Sequence, residues 1–387
     1  MKIGIPREIG EGETRVALVP SMVSTLTKLE HEVLVESGAG EKSSFSDQQY
    51  EEAGAKVIKG VTDLYASADV ILKVQPLQMH PELKKPELAL LRENMTYIGF
   101  MSPLFNLEMI RQLAEKKVTS FAMEFVPRIT RAQSMDALSS MATVAGYKAV
   151  IIAAYYLGKL YPLMMTAAGT IPPANVLILG AGVAGLQAIA TAKRLGARVE
   201  AFDPRPAVKE QVMSLGAGFI EMELPEDVET AGGYAKEQPE EFLKREQEAI
   251  AKRLPKTDVV ITTAQIFGKR SPVLITEEMV KLMQPGSIII DLAAEQGGNC
   301  ELTQPHKLIE KYGVQIYGAV NLAATIPVHA SQMYSKNITN LFRHLYQAPE
   351  NKLDFEDEIT KSACVTHDGQ IINEFVKNAL EKGGNQK

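Results

Sequence analysis

Three glycines and one acid set out the chemistry open to this chain. Gly180, Gly182 and Gly185 stand at G-x-G-x-x-G spacing, and Asp203 follows about twenty residues on. The apolar run Val176 to Leu179 precedes them and reads as a buried parallel strand. Residues 186–195 read as a helix, with Leu186, Ile189, Ala190, Ala192 and Leu195 near one face. Val199 to Phe202 reads as a second strand, closed by Asp203. In that setting Gly180 permits a tight turn, Gly182 lets a pyrophosphate approach the backbone, and Gly185 lets helix and strand pack closely. The helix N-terminus turns N–H groups toward the phosphates. Asp203 can accept hydrogen bonds from a ribose 2′-OH. The pattern predicts a dinucleotide site. A carboxylate repels a 2′-phosphate, which favours NAD; Arg205 argues the other way, since a nearby guanidinium can accommodate that phosphate.

A second cluster gathers Arg128, Arg131, Gln133, Ser134, Asp136 and Ser139 at a loop-to-helix junction. A carboxamide, a guanidinium and a carboxylate together suit a nicotinamide ring and its ribose, and such a junction can present side chains into a cleft between domains. The other reading is helix capping: Thr130-x-x-Gln133 has capping-box form, and Ser134 or Asp136 can serve as an N-cap. Asp291, at the end of a predicted strand, faces either the ligand crevice or a local cap. The candidate cofactor residues of these stretches are Arg128, Gln133, Ser134, Asp136, Ser139, Gly180, Gly182, Val183, Gly185, Asp203 and Arg205. No metal-ligand spacing and no serine nucleophile elbow occur, and the six histidines form no i, i+4 pair around a carboxylate.

These residues need a scaffold. At 387 residues, two domains are expected. The composition, 45% hydrophobic and 23% charged, is that of a globular protein, and a net charge of −6 gives no reason to expect nucleic acid. Cys300 and Cys364 are far apart and suit a reducing compartment. The N-terminus turns charged at once, so no secretory leader is expected, and the apolar stretch 141–165 carries Lys148, Lys159 and Pro162, so no membrane span is expected. The first 125 residues alternate strands (3–5, 32–35, 56–58, 70–74, 96–100, 119–123) with helices (21–29, 47–53, 81–91, 104–115). A long apolar helix over about 136–157 is expected to be buried and to span between domains. Strands follow at 176–179, 199–202, 218–222, 258–263, 287–292 and 314–319, then a second long helix at 330–346 that returns to the first domain. Residues 224–240 form either a lid or a surface loop. Asp368-Gly369 marks a small hairpin within 363–372. The fold class is α/β, with mostly parallel sheets. Residues 1–135 with 330–387 are expected to form a Rossmann-like domain without its own fingerprint, and 136–329 the NAD(H)-binding Rossmann domain with its connecting helix.

The chain resembles the soluble NAD(H)-binding alpha-1 subunits of proton-translocating NAD(P) transhydrogenases, themselves similar to alanine dehydrogenase. The resemblance rests on Met1-Lys-Ile-Gly-Ile-Pro-Arg-Glu with Thr14-Arg-Val-Ala-Leu, Pro127-Arg-Ile-Thr-Arg-Ala-Gln-Ser-Met-Asp-Ala-Leu-Ser-Ser, Met164-Met-Thr-Ala-Ala-Gly-Thr, Glu229-Thr-Ala-Gly-Gly-Tyr-Ala-Lys-Glu and Ile289-Ile-Asp-Leu-Ala. It implies two Rossmann-type domains flanking a cleft, joined by long helices and assembled as a homodimer. It implies that Arg128, Gln133, Asp136 and Ser139 contact the nicotinamide end, with Arg128, Gln133 and Asp136 positioning it, that a mobile loop carrying Gly233 and Tyr234 closes over the nucleotide, and that Gln265 completes the cofactor set. The implied partners are a membrane-spanning subunit and an NADP(H)-binding subunit, with the chain peripheral on the cytoplasmic face of the inner membrane. The chain ends without transmembrane helices, as in the split form of the subunit. Alanine dehydrogenases carry a substrate lysine in a Lys-Val-Lys-Glu-Pro run and a histidine after the next strand. Here Gln75 stands in the lysine's place, and Tyr97-Ile-Gly-Phe-Met-Ser holds no histidine; Arg15 remains. Reducing an imino acid needs a proton donor and a carboxylate anchor, whereas passing hydride between two nicotinamides needs neither. The alternatives are an amino-acid dehydrogenase and a non-catalytic NAD-binding protein.

Overall fold

The computed structural model describes residues 1–222, 240–266, 268–346 and 352–384. The chain divides into two compact units, Met1–Met141 with Ala324–Lys387, and Ala142–Ala323.

The first unit is built on an eight-stranded sheet. Its parallel strands are Lys2–Ile5, Glu32–Glu36, Lys56–Ile58, Val70–Leu72, Thr96–Gly99 and Thr119–Ala122, and across the sheet they lie in the order 3-2-1-4-5-6. That order defines doubly wound sheets. Ile3, Ile5, Val35, Val70, Ile71 and Leu72 are wholly buried, as strands covered on both faces require. Cys364–His367 and Gln370–Ile371 extend the sheet antiparallel beside Thr119–Ala122. Asp368 and Gly369 join them, both at positive φ, the geometry of a primed hairpin turn.

The structure differs from expectation at two places in this unit. Residues 81–91 are not a helix. They form a short hairpin, Met79–His80 against Lys85–Pro86, followed by a 3-10 turn at Glu87–Leu90. The leucine spacing there mimics a helical face. However, His80 Nδ1 accepts from Leu83 N, Lys84 has φ +52°, and Glu87 is drawn inside. The Glu87 carboxylate accepts from Lys73 Nζ at 2.8 Å and from Gln78 N at 2.9 Å, and those buried bonds override local periodicity. The second difference is an unforeseen helix at Val61–Ser67.

The second unit repeats the plan. Asn175–Leu179, Arg198–Phe202, Gly218–Phe219, Val259–Thr262, Ile288–Asp291 and Val314–Gly318 run parallel, again in the order 3-2-1-4-5-6. Leu308–Lys311 adds an antiparallel edge, missed in the sequence. Along the central strand Val176 and Ile178 enter one core while Leu177 and Leu179 enter the other. Each such buried aliphatic side chain contributes about 1.5–3 kcal/mol.

The first long helix, Ala137–Tyr156, packs Ala149, Val150 and Ala153 into the Val176/Ile178 core. The expectation that it is buried holds for one face only, since Tyr155 is 81% exposed. By length and composition alone it is apolar enough to cross a membrane. The second long helix, Pro327–Leu345, lies in the first unit. There the Ser331 and Ser335 hydroxyls accept from Val16 N and Val19 N, and Tyr334 donates to the Lys73 carbonyl at 2.7 Å. A two-stranded hairpin, Met164–Thr166 with Gly169–Ile171, is exposed along its length.

Candidate cofactor site

In the second unit the strand Asn175–Leu179 ends at the reversal of strand order, beside Val259–Thr262. Ligands of open α/β sheets bind outside the strand ends at such a point. Gly180 takes φ +97°, closed to most L residues, and a Cβ there would meet Thr263 Oγ1 at 2.5 Å. Thr263 ties the turn from the neighbouring strand: its N–H donates to Leu179 O at 2.7 Å and its hydroxyl to Gly180 O at 3.1 Å. Sequence reading missed Thr263. Its signal was position, one residue past the fourth strand.

Gly182 is the N-cap of the helix Val183–Arg194, with φ −73°. A Cβ on Gly182 would have Arg205 Nη2, 4.0 Å away, as its nearest neighbour. That open space is where a pyrophosphate would approach, and the N–H groups of the first helical turn have no intrahelical acceptor. Gly185 is constrained by packing: its Cβ would lie 1.9 Å from Gly180 O. Gly146 of the first long helix is constrained likewise, with Ala184 O at 2.1 Å. These residues fit a bound dinucleotide. The turn leaves room where its phosphates would pass, while the helix packs close against the turn at Gly185 and against the first long helix at Gly146.

Asp203 ends the next strand and is 3% exposed. Its Oδ2 accepts from Ala181 N at 2.7 Å and Arg205 Nη2 at 2.8 Å. Its Oδ1 accepts from Arg205 N and Nε, both at 2.9 Å. The pairing of the two residues was not foreseen. Val183, one residue into the helix, is 37% exposed. Gln265 is exposed on the loop after Val259–Thr262 and donates to Leu292 O at 3.1 Å. Gly233 and Tyr234, with the 224–239 stretch expected as a lid or loop, lie outside the described residues.

Asp291 resolves as a scaffold. It is wholly buried, and its carboxylate accepts from Thr262 Oγ1, Ala293 N, Asn299 N, Cys300 N and Thr303 Oγ1. Asn299, so held, exchanges hydrogen bonds with the backbone of Ala264 at 3.0 and 2.8 Å. The pair fixes the loop that carries Gln265.

In the first unit the other cluster spans a 3-10 segment, Thr130–Met135, and the start of the first long helix. The Thr130–Gln133 capping box does not form; the 3-10 segment has no side-chain cap. Asp136 caps instead, its carboxylate accepting from Ser139 N at 2.8 Å and Ser139 Oγ at 2.6 Å. Arg128, Gln133 and Ser134 are exposed. The segment is pinned from beneath. Asn337 and Asn340 of the second long helix donate to Ser134 O at 2.9 and 3.2 Å, and Arg131 pairs with Asp357 at 3.0 Å. Burial works against the Asp357 charge, but hydrogen bonds from His344, the Thr360 backbone and Arg131 hold its pKa at about 2. Arg131 is thus an anchor, while Arg128 and Gln133 project from a segment held on two sides.

Elsewhere in the first unit, Arg15 closes on Glu13. Its Nη2 and Nε lie 2.6 and 2.8 Å from the two carboxylate oxygens, and Gln75 Nε2 donates to Glu13 Oε2 at 2.6 Å. Burial raises the Glu13 pKa, but these bonds outweigh it and hold the value at about 2.

Comparison with known proteins places this geometry among relatives. The family model described as Alanine dehydrogenase/PNT, N-terminal domain, matches residues 4–145, and that of the C-terminal domain residues 149–374. The first portion of the NAD(P) transhydrogenase subunit alpha of Rhodospirillum rubrum is 50% identical over 377 residues, 96% of this chain and 98% of that one. The crystal structure of transhydrogenase from Sinorhizobium meliloti matches with TM-score 0.85 and 44% identity, over 96% of this chain and 100% of that one. A structure of L-alanine dehydrogenase matches with TM-score 0.80 and 26% identity, over 99% of each chain.

Proposed function

The chain belongs to the alanine dehydrogenase/PNT family, and from that premise we propose that it is the NAD(H)-binding component of a proton-translocating NAD(P) transhydrogenase. It exchanges hydride between NADH and NADP⁺ held by an NADP(H)-binding partner subunit. Proton movement belongs to a membrane-spanning subunit, and the chain docks on that subunit at the cytoplasmic face of the inner membrane.

One observation carries this choice within the family. A complete dinucleotide turn coexists with an acid-binding arginine that is already filled. Arg15 holds the Glu13 carboxylate side-on, and Gln75 reinforces Glu13 instead of offering a cation. A small oxo acid would have to displace a buried, charge-assisted pair. The 96–102 stretch supplies no histidine as proton donor. Hydride exchange between two nicotinamides requires neither group.

When bound, the nicotinamide supplies the transferable hydride. The chain supplies placement. The Gly182 turn and the helix behind it take the pyrophosphate, Asp203 takes the adenosine ribose, and Gln265 and Val183 line that end. Arg128 and Gln133 orient the nicotinamide end, with Ser134, Asp136 and Ser139 keeping their segment in shape. The chain acts as a homodimer, a reading supported by the exposed hairpin, with Leu163, Met165 and Ile171 turned to solvent, since an isolated two-stranded hairpin is marginal in water.

Gln133→Ala tests the assignment: it slows hydride transfer to partner-bound NADP⁺ and leaves NADH binding largely intact. Unchanged transfer removes Gln133 from the site. Oxidation of NADH by the chain alone with pyruvate and ammonia would restore the amino-acid dehydrogenase reading.

A further inference from the structure

The adenosine end of the cofactor site is closed by a side chain of its own. Among the described residues Asp203 accepts four hydrogen bonds, two per oxygen, from Ala181 N and from Arg205 N, Nε and Nη2. An ionised carboxylate offers about four lone-pair sites, so its capacity is filled. Three of the four donors belong to Arg205. The guanidinium meets the carboxylate side-on, the strongest arrangement for this pair. Both side chains are withdrawn from solvent, at 12% exposure for Arg205 and 3% for Asp203. The guanidinium also faces the phosphate turn, with Nη2 4.0 Å from the Cβ position of Gly182.

Two kinds of nucleotide meet this arrangement differently. A ribose 2′-OH can bond Asp203 only by replacing a donor already there. The backbone N–H groups of Ala181 and Arg205 are fixed by the turn, so the guanidinium is the donor able to move. A 2′-phosphate meets a carboxylate that repels it and a guanidinium whose charge is already matched. We propose that the Asp203–Arg205 pair is a latch that sets nucleotide choice: it opens to a 2′-OH by exchanging a guanidinium N–H for the hydroxyl, and it withholds Arg205 from a 2′-phosphate. Asp203 therefore selects in two ways, by repulsion and by sequestering the cation that a 2′-phosphate would use. The inference rests on the reading of this turn as an NAD(H) site.

Calorimetric titration of the full chain with NADH and with two fragments lacking nicotinamide, 5′-AMP and adenosine 2′,5′-bisphosphate, tests it. The wild type binds NADH and prefers 5′-AMP. Asp203→Asn keeps the side-chain volume and an acceptor for Ala181 N. It shifts the preference toward the bisphosphate by about tenfold or more, the effect of one charge-assisted contact. Asp203→Asn with Arg205→Ala loses that gain. Arg205→Ala alone binds NADH more tightly, by about two- to tenfold, since no partner must be exchanged. The inference is overturned by an unchanged preference in Asp203→Asn, by a gain that persists in the double variant, or by weaker NADH binding in Arg205→Ala. Failure of the wild type to bind NADH overturns the NAD(H) reading and this inference with it; each other contrary result strikes the latch alone.

Discussion

Replacing Gly182 by alanine separates binding from folding at the phosphate turn. Gly182 has φ −73° and ψ −169°, backbone open to any L residue, so alanine imposes no strain. The new methyl meets nothing nearer than Arg205 Nη2 at 4.0 Å. Restricting the unfolded chain stabilises the protein by about 0.4–1 kcal/mol, and exchanging a glycine N-cap for alanine costs about 0.5–1 kcal/mol. The two nearly cancel, and urea unfolding should shift by less than about 0.5 kcal/mol. Binding has no such compensation. The methyl fills the approach of a pyrophosphate to the helix N-terminus, where each charge-assisted hydrogen bond contributes about 1.5–3 kcal/mol. Loss of one weakens NADH about 10- to 150-fold. NADH fluorescence titration beside urea melts measures both quantities. Gly185→Ala is the contrast: its Cβ would lie 1.9 Å from Gly180 O, so helix and turn must part by more than an ångström. That overpacking costs about 1–3 kcal/mol of stability and weakens NADH as well. Wild-type NADH affinity in Gly182→Ala, or a stability loss equal to that of Gly185→Ala, refutes the reasoning.

Lys73→Met strands two buried carboxylates, Glu87 at 2.8 Å and Glu8 at 3.4 Å from the lost ammonium. Burial opposes the Lys73 charge, but the two acids hold its pKa above the ordinary value. Denaturant melts should show a loss of about 3–5 kcal/mol, and a loss under about 1 kcal/mol would contradict this role for the ammonium. Glu246 is 5% exposed; burial, then the charge of Asp203, pushes its pKa to about 7. The folded state thus holds that proton longer than the unfolded chain, and stability falls as pH rises from about 4.5 to about 7. Glu246→Gln removes this slope, gaining up to about 3 kcal/mol above pH 7 and nothing from ionisation below about 4.5. Parallel urea midpoints across that range decide it, and a pH-independent difference would be contrary. Asp136→Ala removes the cap of the first long helix at a cost of about 1 kcal/mol by the same assay, and no loss would discount the cap.

The alternation of strand and helix was legible in both halves because parallel strands buried on both faces are written as short runs of Ile, Val and Leu. Val176 to Leu179 and Ile288 to Ile290 could hardly be anything else. The glycine turn was legible for a related reason: backbone geometry dictates residue type directly, and Gly180 and Gly185 have no substitute at φ +97° or at 1.9 Å from a carbonyl. What escaped the sequence depends on partners remote along the chain. Residues 81–91 carry helical leucine spacing, yet Glu87 reaches inward to Lys73 and unmakes the helix. At the 130–139 junction the sequence left three caps open, and the structure takes the one it offered at Asp136, not the Thr130-x-x-Gln133 box. For Asp291 the sequence left a ligand-facing acid and a local cap both open, and the five donors that converge on its carboxylate decide between them. Arg205 read as an argument for NADP, and the structure joins it to the acid that argues for NAD.

The most direct test of hydride exchange follows a label. The purified chain is loaded with NADH carrying deuterium at the transferable C4 position and mixed with the NADP(H)-binding partner subunit and NADP⁺ in ordinary water. Direct exchange predicts NADPH that retains the deuterium, formed only when both proteins are present. No NADPH, or NADPH whose label has washed out into solvent, would contradict a chain that hands hydride from one nicotinamide to another.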